Sequence, residues 1–401
     1  MLLTAVSLYK NAYSGLSRRM WLLALVMFIN RCGTMVLPFM TLYIKHIGFS
    51  TRQGGLVVAV YGLGSVAGAF LGGKISDRFG FYYTQLFSLI AGGILFILLG
   101  QMKTYEAICI CTFFLSMVNE SFRPANATAI AHYSSPQNRT QSFSLIRFAI
   151  NIAWGVGSAL GGILASINYH LLFWVDGLTN ISGALLLAML LPKVSLQEQR
   201  QQVKNKEAHA KNGSPYSDRT YLIFILLLTL FAICFFQLFV TVPLFFKEGL
   251  HLNEFWIGIV MALNGVVIAL VEMVIVYKLE GRRPYLILAA YGSVLMAFSF
   301  FILNMPLLPG LLIAVLSTLI VTAGEMISMP FMNTYYISRS TETNRGQYAA
   351  LYTMGWSAAQ VIGSSSGAFI ANRAGFANLW WMMGAISILV AAGFRWLQMK
   401  K

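Results

Sequence analysis

Seven ionisable side chains lie inside stretches that are otherwise apolar: Arg31, Glu120, Arg123, Arg147, Asp176, Glu272 and Glu325. Each costs several kcal/mol in a lipid interior unless it faces water, a partner or a bound solute, so each is a functional candidate. Glu120 and Arg123 are three residues apart and can pair on one helix face. Arg147, Asn151, Trp154 and Ser158 follow helical spacing and form a polar stripe along one side. Glu325 sits between Gly324 and Pro330, and Glu272 has no charged neighbour on its own helix. Such carboxylates suit reversible protonation, which makes Glu272, Glu325, Glu120 and Asp176 the proton-handling candidates. Gln237 and Gln360 add polar groups in later apolar stretches.

These charges sort by half of the chain. The first half holds three cations and two anions, whereas the second holds Glu272 and Glu325 and no cation. A cavity between two such walls would suit a zwitterion, its carboxylate toward Arg31, Arg123 or Arg147 and its amine toward Glu325 or Glu272.

The elements that must position these groups are membrane helices. With 58% hydrophobic and 10% charged residues over 401 positions, the chain is far from soluble composition. Apolar stretches long enough to cross a bilayer fall near 20–44, 54–76, 81–100, 105–127, 141–166, 170–191, 220–246, 255–277, 285–304, 308–337, 347–372 and 376–396. The net charge of +15 is distributed as topology rather than as a nucleic-acid surface. With the N-terminus inside, about 20 Lys and Arg face the cytoplasm and about 5 face outward, which sets both termini in the cytoplasm. Anionic lipid is a partner for the same basic excess, and nucleic acid is not.

Residues 1–19 lack an apolar core ahead of a small-residue cleavage site, so no cleavable signal is expected. Leu2, Leu3, Val6, Tyr9, Tyr13 and Leu16 instead fit a short amphipathic helix on the inner leaflet. Cys32, Cys109, Cys111 and Cys234 all lie in spans without metal spacing to His, and read as packing residues.

The halves repeat each other. At an offset of 206, Pro124 meets Pro330, Asn138 meets Asn344, Arg139 meets Arg345, Gln141 meets Gln347, Gly157 meets Gly363 and Gly161 meets Gly367. A weaker match sets Gly55, Ala59 and Gly62 against Gly258, Ala262 and Gly265. The polar stretch 193–219, with its Gly-Ser-Pro turn signal, reads as a cytoplasmic linker between a bundle over 20–192 and another over 220–401. Six spans lie in each copy, so the repeats are parallel. Duplicated helical halves with a midplane site are how many secondary carriers are built.

GGKISDRFG (72–80) resembles the signature of the major facilitator superfamily through Gly73, Ile75, Ser76, Asp77, Arg78 and Gly80. The usual trailing basic residues are replaced by Phe81 and Tyr82, and the equivalent loop of the second half, YKLEGRRP, is degenerate. The resemblance implies twelve helices in two six-helix bundles, with Gly73, Asp77, Arg78 and Gly80 as gating residues that latch the halves. WGVGSALGG (154–162) resembles the glycine-rich fifth-helix motif of antiporters in that superfamily, with Ser158 where Pro is usual. Close helix packing explains the same glycines. NRCGTMVLPFMTLY (30–43) and GEMISMP (324–330) resemble the first and tenth helices of proton-coupled oligopeptide transporters, without the acidic pair expected before Arg31. Drug:proton antiporters share the short length and layout.

The expectation is therefore an all-α inner-membrane carrier, monomeric, cofactor-free and coupled to protons, moving a small organic solute of zwitterionic or peptide-like character. The alternative is a multidrug:proton antiporter. A membrane enzyme would need a nucleophile with its base or a metal cluster, and the five scattered histidines supply neither; no GxxxxGK[ST] or HExxH occurs. A channel is disfavoured by the duplicated halves.

Overall fold

The computed structural model describes residues 2–194, 214–305 and 308–400. Most of the expected 193–219 linker lies outside the described residues. Fourteen helices follow in order: α1 (Leu2–Tyr13), α2 (Arg18–Cys32), α3 (Val36–His46), α4 (Thr51–Phe79), α5 (Phe81–Leu99), α6 (Tyr105–Glu120), α7 (Phe122–Tyr133), α8 (Arg139–Ile167), α9 (His170–Leu190), α10 (Arg219–Glu248), α11 (Glu254–Leu279), α12 (Tyr285–Leu303), α13 (Gly310–Arg339) and α14 (Arg345–Met399).

Ten stretches are long and apolar enough to cross a membrane. The longest, α14, is two spans joined at Gly375, whose φ of 82° breaks the helix. α6 and α7 together form another span, interrupted at Ser121. With those two, the count is the twelve expected.

The first span is also broken. Gly33, Thr34 and Met35 are not helical, and the freed backbone donors at the start of α3 need a partner inside the bundle. Asp176 of α9 supplies it, accepting from Met35 N at 3.0 Å and Val36 N at 2.8 Å. α4 seats on α6 through Gly64, Gly68 and Gly72, one stripe at four-residue spacing. A Cβ on Gly68 would lie 2.2 Å from Met117 O, so only glycine allows this approach.

The duplication is visible in local geometry. Asn138 and Asn344 start α8 and α14 with φ, ψ of −117°, 16° and −123°, 8°. Each side chain accepts from the backbone three residues earlier, Ser135 N at 2.9 Å and Thr341 N at 2.8 Å. Gly157 brings α8 against Cys32 O of α2, and Gly363 brings α14 against Ile233 O of α10. The halves thus use the same turn and the same close contact.

α1 is a helix, as expected, and also touches the bundle. Ala12 is fully buried, Tyr9 Oη donates to Leu270 O of α11, and Tyr13 packs edge-on to Phe148 of α8. The side chains of residues 2–6 lie outside the described residues. Ala12 and Tyr13 turn toward α8 and α11, while Ser7, Tyr9, Lys10 and Asn11 stay exposed.

Candidate functional site

The charged groups of the two halves meet where α8 faces α11 and α13. Arg147 Nε donates to both oxygens of Glu272 at 3.1 Å, and its Nη2 donates to Glu325 Oε1 at 2.8 Å. Nη1 lies 2.8 Å from Met329 Sδ. Glu272 and Glu325 are 2% and 5% exposed. One guanidinium thus holds two buried carboxylates, leaving the ionised cluster one proton short of neutrality. The planar fork of Arg suits this double engagement, where an ammonium would satisfy one partner less well. Asn264 completes the arrangement: its Nδ2 donates to Thr322 Oγ1 at 2.9 Å and lies 3.3 Å from Glu325 Oε2.

Sequence reading recognised Arg147, Glu272 and Glu325 but set them on opposite walls. The structure brings them into contact, so neither carboxylate lines the cavity beside them. It missed Asn264, because a lone Asn in an apolar helix carries no periodic signal.

That cavity has a volume of about 220 Å³ and is lined by both halves. Arg31, Arg123 and Arg147 contribute its charge; Tyr336, Tyr352 and Trp356 contribute aromatic surface. Glu120 pairs with Arg123 as its spacing predicts: Oε2 lies 2.9 Å from Nε, an ion contact without hydrogen-bond alignment. Glu120 itself points into a separate small polar chamber of about 40 Å³ between α2, α6 and α9. Arg31 borders both spaces, and its Nε is buried without a hydrogen-bond partner.

Several expected site residues are placed elsewhere. Asp176 spends its oxygens on the α3 backbone, which makes it a helix cap rather than a free proton acceptor. Gln237 is fully buried and clamps α10 to α14: its Nε2 donates to Gly363 O at 2.9 Å, and its Oε1 accepts from Thr241. Asn151 does not border the cavity, and Trp154 and Gln360 are exposed away from it. Of the stripe's described side chains, Arg147 is the one that lines this cavity. The side chain of Ser158 lies outside the described residues.

The gating residues meet the opposite half. Asp77 accepts from Gly346 N at 2.7 Å and Gln347 N at 3.0 Å, capping the start of α14. Gly73 permits the approach, since a Cβ there would lie 2.5 Å from Ala350 Cβ. Gly80, at φ 89°, turns the chain into α5, and Arg78 is exposed over the Phe79 ring.

The second-half loop that looked degenerate holds an equivalent contact. Glu280 Oε1 accepts from Thr140 N at 3.2 Å at the start of α8. Burial pushes the Glu280 carboxyl above the usual range, with the Thr140 contacts opposing it. Asp77 and Glu280 are 203 residues apart, the offset of Gly55 and Gly258, not the 206 of the other repeat positions. Ser65–Ser357 and Thr140–Thr334 hydroxyl contacts, at 2.9 and 2.8 Å, join the halves along the same seam.

Two parallel helical halves, a shared cavity and a charged cluster across their seam define a membrane carrier. Residues 23–352 match the Major Facilitator Superfamily, and the chain belongs to that family. It is 25% identical to a Na(+), Li(+), K(+)/H(+) antiporter of Planococcus maritimus, over 93% of each chain. In fold it is similar to a bacterial homologue of the iron transporter ferroportin in the outward-facing state, with 15% identity, TM-score 0.74 and coverage of 96% and 100% of the two chains. It is also similar to the proton:xylose symporter XylE, with 17% identity, TM-score 0.72 and coverage of 95% and 96%.

Proposed function

We propose that this transporter is a proton-coupled carrier of a small organic solute in a bacterial inner membrane, with both termini cytoplasmic and the Arg147–Glu272–Glu325 cluster as its coupling site. The observation that carries the reading is the cluster's position: its cation belongs to one half and its anions to the other. In alternating access the two bundles rock about a midplane site. Opening the seam between α8 and α11 must therefore pull Arg147 from its carboxylates, stranding charges in a poorly solvated place. Protonating either carboxylate removes one of Arg147's two anchors and brings the cluster to neutrality, so proton loading and seam opening favour each other. Arg147 also borders the cavity, so a solute that touches it competes with the carboxylates. On this reading, with the termini cytoplasmic, the contacts of Asp77 and Glu280 lie on the inner side, which supports an outward-facing arrangement.

The test is the Glu325→Gln variant reconstituted in vesicles. Gradient-driven accumulation of solute is expected to vanish, while exchange of labelled for unlabelled solute without a gradient survives. Undiminished accumulation would remove Glu325 from coupling. A second reading, exchange of a monovalent cation or cationic drug for protons, is favoured by the full-length likeness to the antiporter. It requires Glu272 and Glu325 to bind the cation once Arg147 withdraws. Sodium-, lithium- or potassium-driven proton movement through the unmodified protein would select it.

A further inference from the structure

We infer that the solute is an organic anion with an aromatic or aliphatic body, its anionic group bound by Arg31 beside Arg123. This rests on the carrier reading and deepens it. Three features of the cavity point the same way.

Its charged lining is cationic. Arg31, Arg123 and Arg147 border it, and no Asp or Glu does among the described residues. Glu272 and Glu325 are turned to Arg147, and Glu120 turns toward the polar chamber. An amine entering the cavity would meet three guanidinium groups and no carboxylate.

Arg31 is also unsatisfied. Arg147 has two carboxylates and Arg123 has one, but the Arg31 Nε is buried with no acceptor. A buried donor without a partner is rare in a native structure, and a charged one is retained where something else completes it. A carboxylate, sulfonate or phosphate oxygen is the group that does so, with fork geometry suited to the guanidinium.

The remaining surface suits an apolar body. Tyr336 and Tyr352 pack with ring centroids 4.5 Å apart, and Tyr352 and Trp356 at 6.4 Å. Asn126, Asn333 and Thr353 add neutral polar contacts at the margins. One charged end and one aromatic side therefore specify an amphipathic anion. A sugar would leave Arg31 unpaired, and an inorganic anion would leave the aromatic wall bare.

The experiment measures binding to the purified full-length protein by isothermal titration and thermal shift, with no gradient. The probes are naphthoate, its neutral amide and the corresponding naphthylmethyl ammonium. Naphthoate is expected to bind roughly tenfold or more tighter than the amide, the effect of one charge-assisted hydrogen bond. Arg31→Gln should bring naphthoate down to the amide's affinity and leave the amide unchanged, while Arg31→Lys falls between. Arg31→Gln should fold, because it removes a buried Nε that has no acceptor; if it does not, Arg31→Lys and the probe series on the unmodified protein carry the test. Tighter binding of the ammonium, equal binding of acid and amide, or unchanged naphthoate affinity in Arg31→Gln would overturn the inference. Coupling is untouched by this assay and is read from Glu325→Gln, so the two failures are separable.

Discussion

At the residue scale, Arg147 shows how one cation decides the state of two anions. Removing a buried partner leaves the remaining charges uncompensated, at a cost of about 3–5 kcal/mol. Arg147→Met should therefore lower thermal stability sharply, because Glu272 and Glu325 are both nearly inaccessible. The triple change Arg147→Met, Glu272→Gln and Glu325→Gln should restore most of that loss, since neutral amides tolerate burial far better than ions. A melting-temperature series on the unmodified protein, the single variant and the triple variant checks this. Failure of the triple variant to recover would mean that Arg147 stabilises through packing and its Met329 contact rather than through charge. Asp176 teaches the opposite lesson: a buried carboxylate can be occupied by two backbone donors and serve as a helix cap.

At the element scale, the two latches are carboxylates at the ends of α4 and α11 that cap α14 and α8. The positive ends of those helices favour an acceptor there, so each contact ties one half to the other. Asp77→Asn and Glu280→Gln should each slow turnover while leaving solute affinity within a few-fold, as measured by uptake kinetics and equilibrium binding. Collapse of affinity in either variant would make that residue part of the binding site. Glu280 also gives the seam a pH response. Burial holds its carboxyl above the ordinary range here, and opening the seam to water would relieve that burial. The closed state therefore binds the proton more tightly and is favoured as pH falls through that raised range. Arg139, nearby, opposes the shift without reversing it. State populations from distance measurements across the seam should lose this part of their pH dependence in Glu280→Gln.

For the whole molecule, alternating access requires the contacts that join the halves to separate in each cycle. Ser65 and Ser357 face each other across that seam at 2.9 Å between hydroxyls. Cysteines at both positions, with the four native cysteines replaced, should form a disulfide under oxidising conditions. Transport should stop on oxidation and return on reduction. Full transport by the crosslinked protein would mean that this seam stays closed throughout the cycle. α1 adds a further contact across α8 and α11 that the sequence did not suggest, since amphipathic periodicity cannot say whether an apolar face meets lipid or protein.

The sequence by itself determined the class of molecule. Lipid demands that backbone groups be satisfied within helices, so long apolar stretches can be read directly as spans. Duplicated Asn, Gly and Pro positions then gave the parallel repeat, because such residues mark caps and close contacts that recur in both halves. The pairing of Glu120 with Arg123 was legible because it is local to one helix. What only the tertiary structure decided was which helices face each other. Arg147 lies 125 residues from Glu272 and 178 from Glu325, and no periodicity spans that distance. The same limit turned Asp176 into a cap, drew Gln237 into a helix clamp and left Trp154 outside the cavity. It also left the Nε of Arg31, among the arginines that border the cavity, without an acceptor, a property set by the packing of helices around it rather than by its neighbours in sequence.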